Sequence, residues 1–234
     1  MNNIKNKMKP AFAALDGGLF STAQKADVGD VAARMEAAGV ALMSWADPFM
    51  PDPSIPQCVL DAAIKELQGG FPSHYTMPIG DPELKALIAK RIERKYNFAL
   101  DPNRNIIITP GSDNGLIFAM MPWINPGDEV LVHDPSYPSN FLNPELLGGV
   151  TVRVPTYKRQ GVTYTRKELE ELSAFCVVHD LICVCDQAFE DTVFPENEMV
   201  CICRMPGMWE RTITVCSVSK GMGLSGFRVG WTYA

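Results

Sequence analysis

The chain carries only three histidines, His74, His133 and His179, and none stands beside a cysteine pair. This argues against a zinc centre, whose ligand sets usually show C-x₂₋₄-C pairs or partner histidines. No apolar run approaches the ~18 residues of a membrane span. The longest, Gly115 to Ile124, is short and broken by Pro122. Basic residues are outnumbered, 21 Lys and Arg against 27 Asp and Glu, for a net charge of −6. A nucleic acid or an anionic membrane surface is ordinarily met by a basic patch, so neither partner is expected. The N-terminal MNNIKNKMKP has positive charge but no apolar stretch behind it, so no secretory signal is expected. Internal repeats and low-complexity tracts are also missing.

Cysteine is present in an odd number, seven: Cys58, Cys176, Cys183, Cys185, Cys201, Cys203 and Cys216. The two C-x-C pairs lie in apolar, strand-like segments, where positions i and i+2 share a face. Shared faces make a metal site conceivable, but buried, reduced thiols fit the spacing better. A cytoplasmic location follows as an expectation.

The chain has 234 residues, enough for one large domain or two small ones. Its 47% hydrophobic and 21% charged content is that of an ordinary globular protein. Residues 1–25 read as an irregular arm. Helical spacing follows over Val28–Ala38, a short strand over Val40–Trp45, and a four-proline loop over Asp47–Pro56. Gln57–Gln68 and Asp81–Tyr96 read as amphipathic helices, the first closed by Gly69-Gly70 and the second opened by Pro82.

The texture then changes. Asn105–Thr109 is a β-branched run suited to a strand buried on both faces. The turn Pro110-Gly111-Ser112-Asp113-Asn114-Gly115 follows, then an apolar helix to Trp123. Further strands are expected at Glu129–His133, Val150–Val154, Leu181–Cys185 and Thr212–Cys216, with a helix over Arg166–His179. This alternation predicts an α/β fold, a mostly parallel sheet flanked by helices. Ligands of such sheets bind beyond the carboxyl ends of the strands. The notable polar residues gather there: Ser112, Tyr137, Asp186, Ser217 and Lys220.

Their chemistry is coherent. A lysine can attack an aldehyde once burial and nearby cations lower its pKa. Lys220 has Arg228 eight residues on. A phosphate needs helix N-terminal amides, hydroxyls and an arginine. The Gly111-Ser112-Asp113 turn, Ser217, Ser219 and Arg228 supply these. A pyridine ring used as an electron sink needs a carboxylate partner, and Asp186 ends a buried strand. Tyr137 offers an aromatic face. Blander readings stand beside these: Ser112 and Asp113 as helix caps, Asp186 as a cap, and Tyr137 as simple packing.

The stretch Ser217-Val218-Ser219-Lys220 through Arg228, with Asp134-Pro135-Ser136-Tyr137-Pro138 and His74-Tyr75-Thr76, resembles the class I/II pyridoxal-phosphate (PLP) aminotransferases of the aspartate aminotransferase fold. The resemblance covers roughly residues 25–234. It implies an arm and small-domain portion over residues 1–50 and an incomplete PLP-binding large domain over 51–234. It implies PLP as cofactor, with amino acids and 2-oxo acids as substrates. Lys220 would form the Schiff base and shuttle the proton, and Asp186 would pair with the pyridine nitrogen. Ser217, Ser219 and Arg228, with the amides of Gly111, Ser112 and Asp113, would hold the phosphate. Tyr137 would stack on the ring. Tyr75 would reach the phosphate of the neighbouring subunit, which implies a homodimer with shared sites.

Four departures accompany the resemblance. Phe189 stands where the family usually has a tyrosine that bonds the cofactor's phenolic oxygen. Ala46 stands where a glycine usually touches the substrate. Between Val154 and Arg166 the family has a further helix, strand and Asn-Pro loop, and the chain here passes directly through Gly161. The expected consequence is a strand lost from within the sheet, leaving exposed edges. The family's small domain, with the arginine that clamps the substrate carboxylate, ordinarily follows the lysine segment, whereas this sequence stops at Ala234. The readings that remain are an aminotransferase, a PLP-dependent carbon–sulfur β-lyase, and a truncated, non-catalytic PLP-binding chain.

Overall fold

The computed structural model describes residues 35, 37–40, 47, 55–156 and 164–234. The helix expected over Val28–Ala38, the strand over Val40–Trp45, most of the proline loop, Ala46 and the join at Gly161 lie wholly or mostly outside the described residues. The chain falls into two compact units, one of residues 1–47 with 120–162 and one of 48–119 with 163–234.

In chain order the elements are α1 (Gln57–Gln68), α2 (Pro82–Tyr96), α3 (Pro102–Asn105), β1 (Ile106–Thr109), α4 (Ser112–Met120), β2 (Glu129–Asp134), α5 (Pro138–Leu147), β3 (Val150–Pro155), α6 (Arg166–Val178), β4 (Cys183–Asp186), β5 (Thr212–Ser217) and β6 (Gly230–Tyr233). Local chemistry sets the boundaries. Asp81 accepts the Leu84 N–H at 2.9 Å, Pro82 opens α2, and Asn97 closes it in the left-handed region. Thr165 and Glu168 form a reciprocal capping box at α6.

The larger unit is built on a four-stranded sheet in the order β1-β6-β5-β4. β4 and β5 are parallel, while β6 runs antiparallel to both β5 and β1. The α/β expectation holds, but the sheet is mixed, because β6 fills the gap between β1 and β5 and reverses direction. The other unit holds a separate two-stranded parallel sheet, β2-β3, with α5 beside it. Helix α5 was not among the expected elements. Pro138 sits at its first turn, Pro144 lies inside it, and it stops on Gly148 at φ +99°. Two prolines in ten residues masked the helical pattern.

Period-2 alternation along β5 sorts the core onto two faces. Cys216 joins Ile88, Ala89, Ile92 and Tyr96 of α2, Ile106, and the fully buried Trp231 and Tyr233. Val215, 0% exposed, faces the other way against Leu116 and Ala119 of α4. Cys176 of α6 packs with Met205 and Met208, and Cys183 and Cys185 line that cluster. The described cysteines form no disulfide. Cys58 is exposed, contrary to the expectation of buried thiols. Cys201 stands just before a 3-10 turn and Cys203 lies within it, instead of in a strand. Among the described residues no helix is long and apolar enough to cross a membrane.

Candidate functional site

The register of the sheet places three strand ends in one row. Gly230, the first residue of β6, lies opposite Thr109 at the end of β1 and Ser217 at the end of β5. β4 ends beside them at Asp186, and the Gln187 N–H continues the ladder to the Val215 carbonyl at 2.8 Å. Since β1, β4 and β5 share one direction, this is the carboxyl edge of the sheet, where a ligand is expected.

Two glycines let the backbones at this edge close on one another. Gly111 adopts φ +85°, and a Cβ there would meet Arg228 Nη2 at 2.5 Å. The guanidinium therefore lies directly over the Gly111 backbone, where α4 begins. Gly230 is pressed against the same turn: a Cβ on it would meet Gly111 C at 2.5 Å and Ser112 N at 2.8 Å. Thr109 Oγ1 donates to the Gly111 carbonyl at 2.9 Å and holds the turn from beneath. Arg228, itself left-handed at φ 54°, donates through Nη1 to the Ser225 carbonyl at 3.0 Å. The Ser219 N–H donates to Ser217 Oγ at 3.3 Å, and both serines are buried. Gly111, Ser112, Ser217, Ser219 and Arg228 are thus brought together. Asp113 lies in the first turn of α4, and its Oδ1 is buried without a hydrogen-bond partner.

Lys220 sits in a loop over residues 218–229 that is closed by the Val218 N–H to the Val229 carbonyl at 3.2 Å. Its Nζ lies 5.5 Å from the centroid of the Phe189 ring, a cation–π contact. Asp186 is exposed at the end of β4, and its Oδ1 accepts the Ala188 N–H at 3.0 Å. Tyr75 is fully exposed. Tyr137 lies in the other unit, just before α5.

The loop that follows Asp186 is fixed from outside the row. Glu190 is 4% exposed and accepts from Tyr96 Oη at 2.5 Å and Arg91 Nη2 at 3.3 Å. Asp191 accepts from Arg91 Nη2 at 2.6 Å through each oxygen, and from Lys95 Nζ at 2.6 Å. Lys95 also donates to the Glu190 carbonyl at 2.8 Å. Burial works to raise the Asp191 pKa, but the Lys95 and Arg91 cations outweigh it and hold the carboxyl below its usual range. Burial, followed by the Glu190 hydrogen bond, pushes the Tyr96 phenol well up. Gly230 and the Glu190-Asp191 pair were not singled out in the sequence. Only a glycine two residues past an arginine and two adjacent acids marked them there. Among the described residues no group of three or more His, Cys, Asp or Glu side chains is placed to hold a metal ion.

Comparison with known proteins gives a consistent picture. The family model "Aminotransferase class I and II" matches residues 43–161 and 159–234, two pieces that overlap over residues 159–161. The chain is similar to the aspartate aminotransferase of Pyrococcus abyssi, at 30% identity over 79% of this chain and 54% of that protein. It is also similar to kynurenine–oxoglutarate transaminase 3 of Rattus norvegicus, at 26% identity over 78% of this chain and 48% of that one. It spans about half the length of these curated relatives. The crystal structure of an aromatic aminotransferase from Pyrococcus horikoshii OT3 matches with a TM-score of 0.74 at 30% identity, over 80% of this chain and 57% of that one. N-succinyldiaminopimelate aminotransferase from Mycobacterium tuberculosis shares the fold, with a TM-score of 0.80 at 22% identity, over 93% of this chain and 64% of that one.

Proposed function

Because the chain belongs to the class I and II aminotransferases, a family of PLP enzymes, we propose that its carboxyl sheet edge is a PLP site and that the protein moves an amino group between an amino acid and a 2-oxo acid. One observation carries this reading. The Arg228 guanidinium occupies the space a Cβ on Gly111 would fill, at the start of α4 and next to Ser217 and Ser219. A fixed cation, helix N-terminal amides and two hydroxyls form a donor set for a phosphate dianion. The residues present therefore fit the phosphate end of the cofactor.

Bound there, PLP would supply an aldehyde that takes up an amino group and a pyridine ring that draws electrons from the carbon bearing it. Lys220 Nζ is the amine that would hold the cofactor covalently, and it would afterwards accept a proton and return it. Asp186, oriented by the Ala188 N–H, would hold a proton at the pyridine nitrogen. Phe189 has no hydroxyl, so it contributes a ring face toward Lys220 instead of a hydrogen bond. Tyr137 and Tyr75 enter the reading through the family resemblance. Tyr75, fully exposed in one chain, would meet the phosphate of a second chain in a homodimer. A cytoplasmic location would suit the free thiols.

Incubation with PLP followed by borohydride should add the cofactor's mass to the peptide containing Lys220, and Lys220→Ala should remove that label. Labelling elsewhere, or none, refutes the reading. Product analysis then separates transfer to a 2-oxo acid from release of pyruvate and ammonia, the outcome for a β-lyase.

A further inference from the structure

We propose that Asp191, held in place by Arg91 and Lys95, is the positioning residue that seats Lys220. The proposal rests on the reading of Lys220 as the residue that holds the cofactor. The starting point is Gly221, the residue that follows the lysine. A Cβ there would lie 2.3 Å from Asp191 Cβ, 2.5 Å from Asp191 Oδ2 and 2.8 Å from Asp191 Cγ. All three neighbours belong to one side chain. Gly221 is also not among the residues with positive φ. Its backbone conformation therefore does not call for glycine; the close approach of Asp191 does. By contrast, a Cβ on Gly226, in the same loop, would meet nothing within 4 Å.

Asp191 can act as a wall because it cannot easily swing away. It receives hydrogen bonds at 2.6 Å from Arg91 Nη2 on each oxygen and from Lys95 Nζ. Charge-assisted bonds of this kind are among the strongest side-chain contacts. Arg91 and Lys95 stand four residues apart on α2, so they share a helix face. The adjacent Glu190 is buried and hydrogen-bonded to Tyr96 of the same helix. The loop from Gln187 to Asp191 is thereby fastened at both ends: to β5 through the Gln187 N–H and to α2 through its two acids. This loop meets the Lys220 segment twice, at the Gly221 backbone through Asp191 and at Lys220 Nζ through Phe189. The side chain of Lys220 has several rotatable bonds, so a fixed backbone and a fixed ring together limit where its amine can sit.

A double-mutant cycle read by borohydride fixing tests the wall. The fraction of PLP fixed at Lys220 per minute is measured together with the pH midpoint of the visible absorbance band of the loaded protein. Thermal unfolding reports stability separately. Gly221→Ala is expected to slow fixing by roughly tenfold, within the range over which contacting residues couple. Asp191→Gly removes the clashing Cβ, so adding Gly221→Ala to Asp191→Gly should cost no further rate and the double variant should fix PLP faster than Gly221→Ala alone. Asp191→Ala keeps the Cβ and should recover little. The band midpoint should move in Gly221→Ala and return in the rescued chain, a change that loss of stability alone does not produce. An additive cycle, or equal rescue by Asp191→Ala and Asp191→Gly, overturns the proposal. Should Gly221→Ala not fold, Asp191→Gly alone should fix PLP several-fold more slowly than Asp191→Asn, which keeps the outline of the wall. Equal rates in these two variants overturn the proposal. Absence of fixing in the wild-type chain would overturn the reading of Lys220, and this proposal with it.

Discussion

Gly230→Ala puts a single methyl group where the site has no room for one. The added Cβ would lie 2.5 Å from Gly111 C, 2.8 Å from Gly111 O and 2.8 Å from Ser112 N. Ordinary contact starts near 3.4 Å, so the strand and the turn must part by about 0.9 Å. The neighbours are backbone atoms, which cannot rotate aside as a flexible side chain can. Overpacking of this kind costs about 1–3 kcal/mol of stability. The same displacement re-aims the N–H groups at the start of α4 and separates them from Arg228. A hydrogen bond to a charged group contributes about 1.5–3 kcal/mol, and 1.4 kcal/mol is about tenfold in affinity. Loss of one such bond therefore weakens PLP binding by roughly ten- to a hundredfold. The assay is a titration of the apoprotein with PLP, followed by the visible band. Gly226→Ala serves as the control, since nothing lies within 4 Å of its Cβ. PLP affinity in Gly230→Ala within about twofold of wild type, or an equal loss in Gly226→Ala, would refute the reasoning.

Two further outcomes follow from the ionic fastening of α2. Tyr96→Phe leaves the buried Glu190 carboxylate without its 2.5 Å donor, and should cost about 1–3 kcal/mol in urea unfolding. Thermal stability should be flat in the middle of the pH range and fall on both sides. Asp191 titrates below its usual range, so its contribution is present above about pH 4 and lost as pH falls through the lowered value. Burial raises Tyr96, Tyr233, Cys185 and Cys216, so their contribution is present below the ordinary values of about 8.5–10 and lost as pH rises beyond them. A melting temperature that stays constant from pH 4 to pH 2 in the wild type, or that shows the same acid loss in Asp191→Asn, would contradict the acid limb.

Much of the fold was legible because its signals are local. Gln57–Gln68 reads as a helix from its spacing and its Gly-Gly stop, and the structure has it over those residues. Asp81-Pro82 and Thr165-x-x-Glu168 announce helix starts through their own side chains. Strand β6 was not expected. Gly230-Trp231-Thr232-Tyr233 is too short to show a pattern, and its pairing partners lie more than ten residues away in β5 and more than a hundred away in β1. Cys201 and Cys203 looked like one face of a strand because apolar residues at i and i+2 fit a strand and a tight turn alike.

Residue types and short spacings in the chain set which chemical groups are available: a lysine among hydroxyls, an arginine eight residues on, and an acid ending a strand, although that strand is only half-buried. They do so because they carry reactivity and local conformation. Tertiary structure alone decided how those groups are held. It laid Arg228 over Gly111, set Gly230 against Ser112, and placed Asp191 under Gly221, although the partners lie 30 to 118 residues apart in the chain. Close approach between distant segments is fixed by sheet register and core packing, and no window of sequence contains either.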